Sequence, residues 1–204
     1  MTTATLTPQS NQTPAVVNVT DELSGPQWVS RFMGSSSTSE LTIEFQACVD
    51  PFIAAMRAAA MHVAPSSTYR PPKRSYLMHW CWKIKHGTDP ASVPAMDGVN
   101  INWVHPTSAA SVQAAQQMVT AYGMDHLNTA PALHSLHNDR QAIDMTITWS
   151  GNVDIVDAAG QTIHIDTTPR TGMNLQLKAV GLSYGVKKFV GGASDKPHWS
   201  TTGH

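Results

Sequence analysis

Residues 141–149 alternate between two kinds of side chain, and this alternation constrains the fold more than any other segment. One set is large and apolar, and the other is small or polar: Ile143, Met145, Ile147 and Trp149 against Ala142, Asp144, Thr146 and Thr148. A repeat of two residues predicts a β-strand that buries one face in a core. We therefore expect the Asp144 carboxylate on the opposite face, toward solvent or a polar cleft.

Further strands are expected after this one. Gly151-Asn152 and Ala159-Gly160 are typical of turns, and they bound expected strands at 153–156 and 162–165. Shorter strand-like pieces are expected at 187–190 and 196–200, and a possible strand lies at 100–104.

Helical spacing of apolar residues dominates the earlier part of the chain. Ser39 is the expected N-cap of a helical region that Pro65 ends, and Asp50-Pro51 leaves open whether it is one helix or two. Residues 66–72 are expected to form a turn, followed by helices at 73–86, 108–122 and 172–182, with an irregular segment at 87–100. Helices that precede antiparallel strands indicate one α+β domain rather than repeated βαβ units.

The first residues have a different composition. Residues 1–37 are rich in Ser and Thr and are interrupted by Pro and Gly, which predicts a tail or loosely docked arm before a domain at 38–204. Trp28, Val29 and Phe32 are its candidate anchor. Residues 1–20 contain neither a charged residue nor an apolar run, so we expect no signal peptide.

The charge balance limits the classes of partner. The chain has 13 Lys and Arg against 14 Asp and Glu, and no basic block, which argues against a nucleic-acid binder or a polybasic membrane-surface protein. The longest apolar stretch, 52–64, contains Arg57 and His62 and is too short to span a bilayer. Cys48 and Cys81 are expected to be buried free thiols.

Two histidines and two carboxylates are placed where they can form a metal site. His137 precedes the alternating strand that carries Asp144, and Asp195 lies three residues before His198. Two His and one Asp leave a fourth position open, as in catalytic zinc sites, and a further carboxylate can serve as general base. Taken singly, His137, Asp144 and His198 would by default be surface or capping residues, and only their joint order favours a metal site. We expect His134 and His164 to lie outside the ligand set.

Three segments resemble one enzyme family. Residues 135–144 match S-x-H-x-x-G-x-A-x-D except at Arg140, Asp195–Trp199 match a D-x-P-H-W/F segment, and 67–70 match S-x-Y-R. In this order they resemble the zinc D-Ala-D-Ala carboxypeptidase and L-alanyl-D-glutamate endopeptidase family, the M15-type peptidoglycan peptidases. The resemblance covers roughly residues 41–200 and implies a hedgehog/DD-peptidase-like α+β domain, in which an antiparallel sheet flanked by helices carries a zinc cleft.

The resemblance also implies residue roles. Zn²⁺ would be held by His137, Asp144 and His198, with Asp195 as general base and Arg70 binding a substrate carboxylate or the developing oxyanion. Ser135, Tyr69 and Trp199 fall at possible substrate-contacting or supporting positions, Trp199 as a cleft wall. Two alternatives stay open: Asp195 as the cap of a turn, and Arg70 as the ion-pair partner of Glu44 or Asp50. Arg140, in place of glycine, predicts a different turn or a cation at the cleft mouth that pairs with Asp139 or with substrate.

The function expected from the resemblance is hydrolysis of a bond in peptidoglycan stem peptides. Two settings fit a chain without a signal peptide. One is a phage endolysin made in the cytoplasm and released to the cell wall by holin-type permeabilisation. The other is an effector that is delivered to a rival's periplasm and neutralised by an immunity protein. The alternative is a non-catalytic zinc-binding module that acts in cell-wall binding or in a virion. Which bond is cut is expected to depend on the loops at 87–100 and 165–172, which can close or open one end of the cleft.

Overall fold

The alternating segment forms an inner strand of the main sheet. The computed structural model describes residues 21–204. Its strands are β1 (Glu22–Leu23), β2 (His62–Ser67), β3 (Ile101–Asn102), β4 (Ala142–Thr148), β5 (Val153–Val156), β6 (Thr162–Ile165), β7 (Lys187–Lys188) and β8 (His198–Ser200). The four-stranded main sheet has the order β2-β4-β8-β7, with the alternating segment as β4, and each neighbouring pair is antiparallel. Two smaller sheets pair β5 with β6 in an antiparallel hairpin and β1 with β3 in parallel.

Four α-helices accompany the sheet within residues 21–204, and the α+β class is confirmed. They are α1 (Ile43–Ala58), α2 (Pro72–Lys85), α3 (Ser108–Ala121) and α4 (Leu175–Ser183). Polar side chains cap three of them: Thr42, Thr107 and Asn174 each accept a hydrogen bond from a main-chain N–H in the first turn. Helix α2 instead begins with Pro72, whose missing N–H costs nothing in a first turn. Within the described residues, no helix has the length and apolarity that a membrane span requires.

Two apolar clusters hold these elements together. The first packs α1 and α4 against one face of β4, where Ile143, Met145 and Ile147 are buried as the alternation predicts. The second lies between α2 and α3 and also contains Trp28 and Trp103. The opposite face of β4, with Asp144, Thr146 and Thr148, is free of the first cluster. This face carries the candidate site.

The expected helical region before Pro65 is wrong at both ends. Ser39 lies in a single 3-10 turn, and α1 starts after Thr42, whose Oγ1 accepts from the Phe45 N–H at 3.3 Å. One helix runs through Pro51, because Pro51 lies on its exposed side, where water can satisfy the carbonyl that loses its donor.

Pro65 lies within strand β2 rather than at a helix end. Residues 62–67 pair with β4, with a register shift between Pro65 and Ser67, so the expected turn at 66–72 begins only after the strand. Strand β2 lies at the edge of the sheet, where a proline without an N–H is tolerated and bulges are frequent. The other expected helices and strands are present with slightly different ends.

The expected arm at 1–37 falls partly outside the described residues, since these begin at Asp21. Strand β1 pairs with β3, and the Trp28 side chain is buried in the second cluster, with Val29 and Phe32 packed against it. Farther along, Ser35 forms a bridge with Tyr69 beside the candidate site. Residues 21–37 therefore contact both the second cluster and the segment that leads into α2.

Candidate metal centre

Strand pairing brings two of the expected ligands together. Asp144 on β4 lies directly opposite His198 on β8, and Ser67 on β2 is its partner on the other side. Paired residues of neighbouring strands present their side chains on the same face of a sheet. Asp144 and His198 therefore meet although 54 residues separate them in the chain.

His137 reaches the same place from a turn. The main-chain N–H of Arg70 donates to the His137 carbonyl at 3.1 Å. The next residue, Asn138, donates from Nδ2 to the Arg70 carbonyl at 2.7 Å and to Ser75 Oγ at 2.9 Å. These bonds fasten the turn to the start of α2 and hold the His137 imidazole over the sheet, where it is 3% exposed.

The three potential ligand atoms form a nearly equilateral triangle. His137 Nε2, His198 Nδ1 and Asp144 Oδ1 are each 3.2 Å from the other two. Ligands held about 2.0–2.1 Å from a tetrahedral metal ion lie roughly 3.3–3.4 Å apart, which is close to this spacing. Among the described residues, this is the one group of three or more His, Cys, Asp or Glu side chains arranged to hold a metal ion.

The Asp144 carboxylate supplies an independent test of this fit. Its Oδ1 atom is buried and makes no hydrogen bond of acceptable geometry, although both imidazoles are within 3.2 Å. A buried acceptor without a partner is costly, and a cation at the centre of the triangle would satisfy it. Burial raises the pKa of Asp144, but the two imidazoles more than offset that effect, so the net pKa lies well below the ordinary value. The carboxylate is thus ionised and ready to act as a ligand.

The remaining imidazole nitrogens point to neighbours that orient the rings. His198 Nε2 lies 3.1 Å from the main-chain oxygen of His204, an acceptor that makes Nε2 the protonated nitrogen and leaves Nδ1 free to bind a metal. On the other imidazole, His137 Nδ1 lies 3.5 Å from Ser67 Oγ, a longer contact that also involves the nitrogen that does not face the triangle. The structure therefore brings His137, Asp144 and His198 into one group that can hold a metal ion, as the sequence predicted.

Asp195 lies beside this group without belonging to it. It ends a 3-10 turn, Gly192–Asp195, that leads into β8. Its carboxylate makes no hydrogen bond or ion pair with the described residues, so the alternative of a turn cap gains no support from a side-chain bond. Burial and the negative charge of Asp144 raise the pKa of Asp195, while His198, Lys188 and His137 act in the opposite direction. Asp195 is therefore a free carboxylate with an elevated pKa next to the candidate metal centre.

Arg70 is a second charged group at the edge of the site. Burial lowers the pKa of Arg70, and the charges of Asp144 and Asp195 counteract that effect. Its guanidinium forms no ion pair within 4.0 Å among the described residues, and the alternative pairing with Glu44 or Asp50 is absent from the structure. A half-buried cation near two carboxylates but bonded to neither remains available to an anionic group.

Arg140, which replaces the glycine of the resembled motif, keeps the conformation that favours glycine. Its φ of 61° lies in the left-handed region. The side chain pairs with Glu40 rather than with Asp139, and its guanidinium stacks over the Tyr69 ring at 3.9 Å. Asp139 is paired with His134 at 3.0 Å. The interpretation of Arg140 as a partner of Asp139 was therefore wrong.

Tyr69, Ser135 and Trp199, the predicted substrate-contacting or supporting residues, lie in different surroundings. The Tyr69 ring lies under the Arg140 guanidinium, and its main chain bonds to Ser35. The Ser135 main chain bonds to the Asn138 side chain, and Ser135 Oγ is buried without a partner. Trp199 is fully buried in the first cluster, with its ring 5.5 Å from that of Phe52. Its expected place as a cleft wall was wrong, because neighbours on a strand face opposite sides and His198 takes the site face.

Lys188 on β7 is a residue that sequence reasoning missed. Its ammonium donates to the main-chain oxygens of His198 at 2.7 Å and Asp195 at 3.3 Å, and the side chain is buried. Burial lowers the pKa of Lys188 to about 8. The neighbouring Lys187 is exposed, so the pair has the composition of an ordinary solvated segment and the sequence gives no signal that one lysine is buried.

His134 and His164 lie outside the metal group, as expected. Each is exposed and paired with an aspartate, His134 with Asp139 and His164 with Asp154.

Comparison with known proteins adds no family assignment. No protein-family model matches the chain, and no curated protein matches it either.

Proposed function

We propose that this chain is a zinc-dependent peptidase that hydrolyses a peptide bond in bacterial peptidoglycan stem peptides. The observation that carries the proposal is the 3.2 Å triangle of His137, Asp144 and His198, with a buried and unpartnered Asp144 oxygen. Asp195 beside that triangle supplies the further carboxylate that a hydrolase needs.

Zinc suits these donors. Two imidazole nitrogens and one carboxylate oxygen form a common ligand set for zinc in enzymes, and non-haem iron uses the same set, whereas magnesium and calcium favour oxygen ligands alone. Zinc is proposed here because the resembled peptidases use it. Three protein ligands leave one coordination position for water or substrate, which distinguishes catalytic from structural zinc sites.

The reaction is proposed to proceed by attack of water on the scissile carbonyl. Zinc, when bound, polarises that carbonyl and lowers the pKa of water. Asp195 accepts a proton from the attacking water as the new carbon–oxygen bond forms. It then delivers that proton to the amine nitrogen as the carbon–nitrogen bond breaks. A raised Asp195 pKa favours the first transfer, because a more basic carboxylate accepts a proton more readily.

Arg70 is proposed to stabilise negative charge on the substrate. Its half-buried guanidinium has no ion-pair partner among the described residues, so a substrate carboxylate or the oxygen that gains charge during attack can take that place. A cation in a partly desolvated site interacts more strongly than one on an open surface.

Peptidoglycan is proposed as substrate from the resemblance of residues 67–70, 135–144 and 195–199 to the cell-wall peptidases. The elements that carry these segments converge on the metal group, which supports the use of that resemblance. The biological setting is proposed to be a phage endolysin or a delivered antibacterial effector, the latter implying an immunity protein in the producing cell.

The direct test is mass spectrometry of fragments released from purified peptidoglycan by the zinc-loaded protein. We expect fragments whose masses identify one cleaved bond, their loss on chelation and their return on zinc addition. Release that is indifferent to chelation would contradict a metal-dependent reaction. A folded, zinc-loaded protein that releases no fragments would instead favour a non-catalytic zinc-binding module.

A further inference from the structure

A groove runs along β4 from the position next to Asp144. It has a volume of about 600 Å³. Its lining comes from β4, from the segment that follows β6 and from the residues just before β8: Met145, Thr146, Ile147, Thr148, Pro169, Thr171, Gly172, Met173, Ala193, Lys196 and Pro197.

The groove is continuous with the face of the sheet that holds the metal group. Met145 and Ile147 are buried in the first cluster, so the groove opens on the side of Thr146 and Thr148, which is also the side of Asp144. Thr146 and Thr148 lie two and four residues beyond Asp144, about 7 and 13 Å along the strand. That length accommodates a short extended peptide whose scissile bond lies at the metal centre.

Main-chain hydrogen bonds fix both walls to β4. The Met145 N–H donates to the Pro197 carbonyl at 3.0 Å, and the Gly172 N–H donates to the Ile147 carbonyl at 3.3 Å. A further bridge joins Thr148 to Thr171. The groove therefore belongs to the same bonded framework as β8 and the metal ligands.

The residues that line the groove favour a small peptide that carries a negative charge. Most lining residues are apolar or are threonines, and Lys196 is the only charged residue among the described residues that line the groove. Lys196 is exposed, so its ammonium remains hydrated while its stem covers apolar surface. The lining itself holds no carboxylate, and Asp144 and Asp195 lie at the metal-group end of the groove, so an anionic group placed farther along it is attracted by Lys196 and is farthest from their negative charge.

We infer that this groove binds the peptide substrate on one side of the scissile bond and that Lys196 gives it a preference for an acidic residue there. The inference rests on the proposed peptidase function. It identifies Lys196 as a residue that determines specificity through charge, and Thr146 and Thr148 as part of the floor beneath the peptide.

The test measures binding separately from cleavage. Fluorescently labelled alanine hexapeptides carry one Glu at successive positions, each matched by the same peptide with Gln, and are titrated against the zinc-loaded Asp195→Asn variant. We expect at least one Glu peptide to bind about three to five times more tightly than its Gln match, the size of an exposed ion pair. Lys196→Gln in the same background should remove that difference, whereas Lys187→Gln, at an exposed lysine outside the groove, should retain it.

A steric variant tests the place of binding. Thr148→Trp fills the groove from an exposed position that is distant from the ligands, and we expect weaker peptide binding with unchanged zinc content. Thr162→Trp, on an exposed position of β6, is the matched control. Equal binding of all Glu and Gln pairs, or unchanged binding by Thr148→Trp, would overturn the inference. If wild type releases no fragments from peptidoglycan while the acidic preference in binding persists, the peptidase proposal fails and the groove assignment stands.

Discussion

Asp195 combines two properties that a general base requires. It is close to the metal group, and its carboxylate makes no hydrogen bond or ion pair with the described residues. Its partial burial and the nearby Asp144 charge raise its pKa, so in the zinc-free protein its ionised form is less stable than in the unfolded chain. The site therefore retains a carboxylate that weakens the fold slightly at neutral pH. This is the pattern expected where function and stability compete.

Asp195→Asn should abolish turnover and leave zinc content near that of wild type. In the zinc-free protein it should also raise the free energy of unfolding at pH 7, because the amide resembles the protonated acid that the folded state favours. As pH falls below the ordinary Asp value of 3.8, wild-type Asp195 becomes protonated in both states and the gain should vanish. Activity measurements and urea unfolding between pH 3 and pH 7 check this; persistent turnover would remove Asp195 from the base role.

Lys188 connects the segment of the proposed base to a candidate metal ligand, because its ammonium bonds to the main-chain oxygens of both Asp195 and His198. Lys188→Met removes the donors but keeps much of the buried stem, and we expect zinc affinity to fall about tenfold, as for other residues that support ligands. Lys188→Arg should recover part of the loss. Competition with a chromophoric chelator measures this, with Lys187→Met as the control; unchanged affinity in a folded Lys188→Met protein would contradict it.

The candidate ligands could be predicted from local sequence, but not all of the residues around them could. Asp144 could be predicted because the alternation placed it away from the core, and His137 and His198 because they stand in motif order with it. The burial of Trp199 follows from the strand alternation that places His198 on the site face, and it was missed. The burial of Lys188 depends on the pairing of β7 with β8, which no local pattern reveals.

At the scale of elements, the turn between His137 and β4 shows how an arginine can occupy a backbone conformation that favours glycine. Arg140 has a positive φ, which costs a side chain about 1 kcal/mol or more relative to glycine. The Glu40 ion pair, the bond from the Arg140 guanidinium to the Glu40 carbonyl at 3.0 Å and the stacking on Tyr69 offset part of that cost. The turn thus depends on Glu40, before α1, and on Tyr69, just after β2.

Comparing two substitutions separates the backbone cost from the side-chain contacts. Arg140→Ala loses the contacts and keeps the strained φ, whereas Arg140→Gly loses the same contacts and relieves the strain. We expect the glycine variant to be more stable by about 1 kcal/mol. Urea unfolding of the two proteins measures the difference, and an alanine variant of equal or greater stability would show that the turn carries no such strain.

Strand β2 and helix α1 show where element prediction failed. Proline was taken as the end of a helix at 65 and as a possible break at 51, but Pro65 lies in an edge strand and Pro51 on the exposed side of one helix. Both positions tolerate a missing N–H because of their surroundings in the fold. A strand such as β2, with Pro and Ser in it, forms because β4 pairs with it and not because of its own propensity.

At the scale of the whole molecule, the metal group joins parts of the chain that are far apart in sequence. Its residues come from β4, from β8 and from the turn bonded to α2, so a bound ion ties the sheet to the first turn of that helix. Ion binding to the folded state alone adds to the free energy of unfolding.

Zinc should therefore raise the melting temperature. At a free concentration 100 times Kd the gain is about 2.7 kcal/mol, which corresponds to roughly 5–10 °C for a domain of this size. Asp144→Ala should lose most of this zinc-dependent shift, and His164→Ala, at an exposed histidine, should keep it. Calorimetry with and without zinc is the measurement, and an equal shift in wild type and Asp144→Ala would place the ion elsewhere.

The measurement that tests the central claim most directly is the metal content of the purified chain by elemental mass spectrometry. Wild type and Asp154→Ala, which removes a carboxylate from an exposed His–Asp pair, should each hold one zinc ion per chain at the His137–Asp144–His198 group. Asp144→Ala should hold far less. A wild-type protein that retains no zinc when supplied with it, or an Asp144→Ala protein with undiminished zinc, would contradict the assignment of this group as the metal centre.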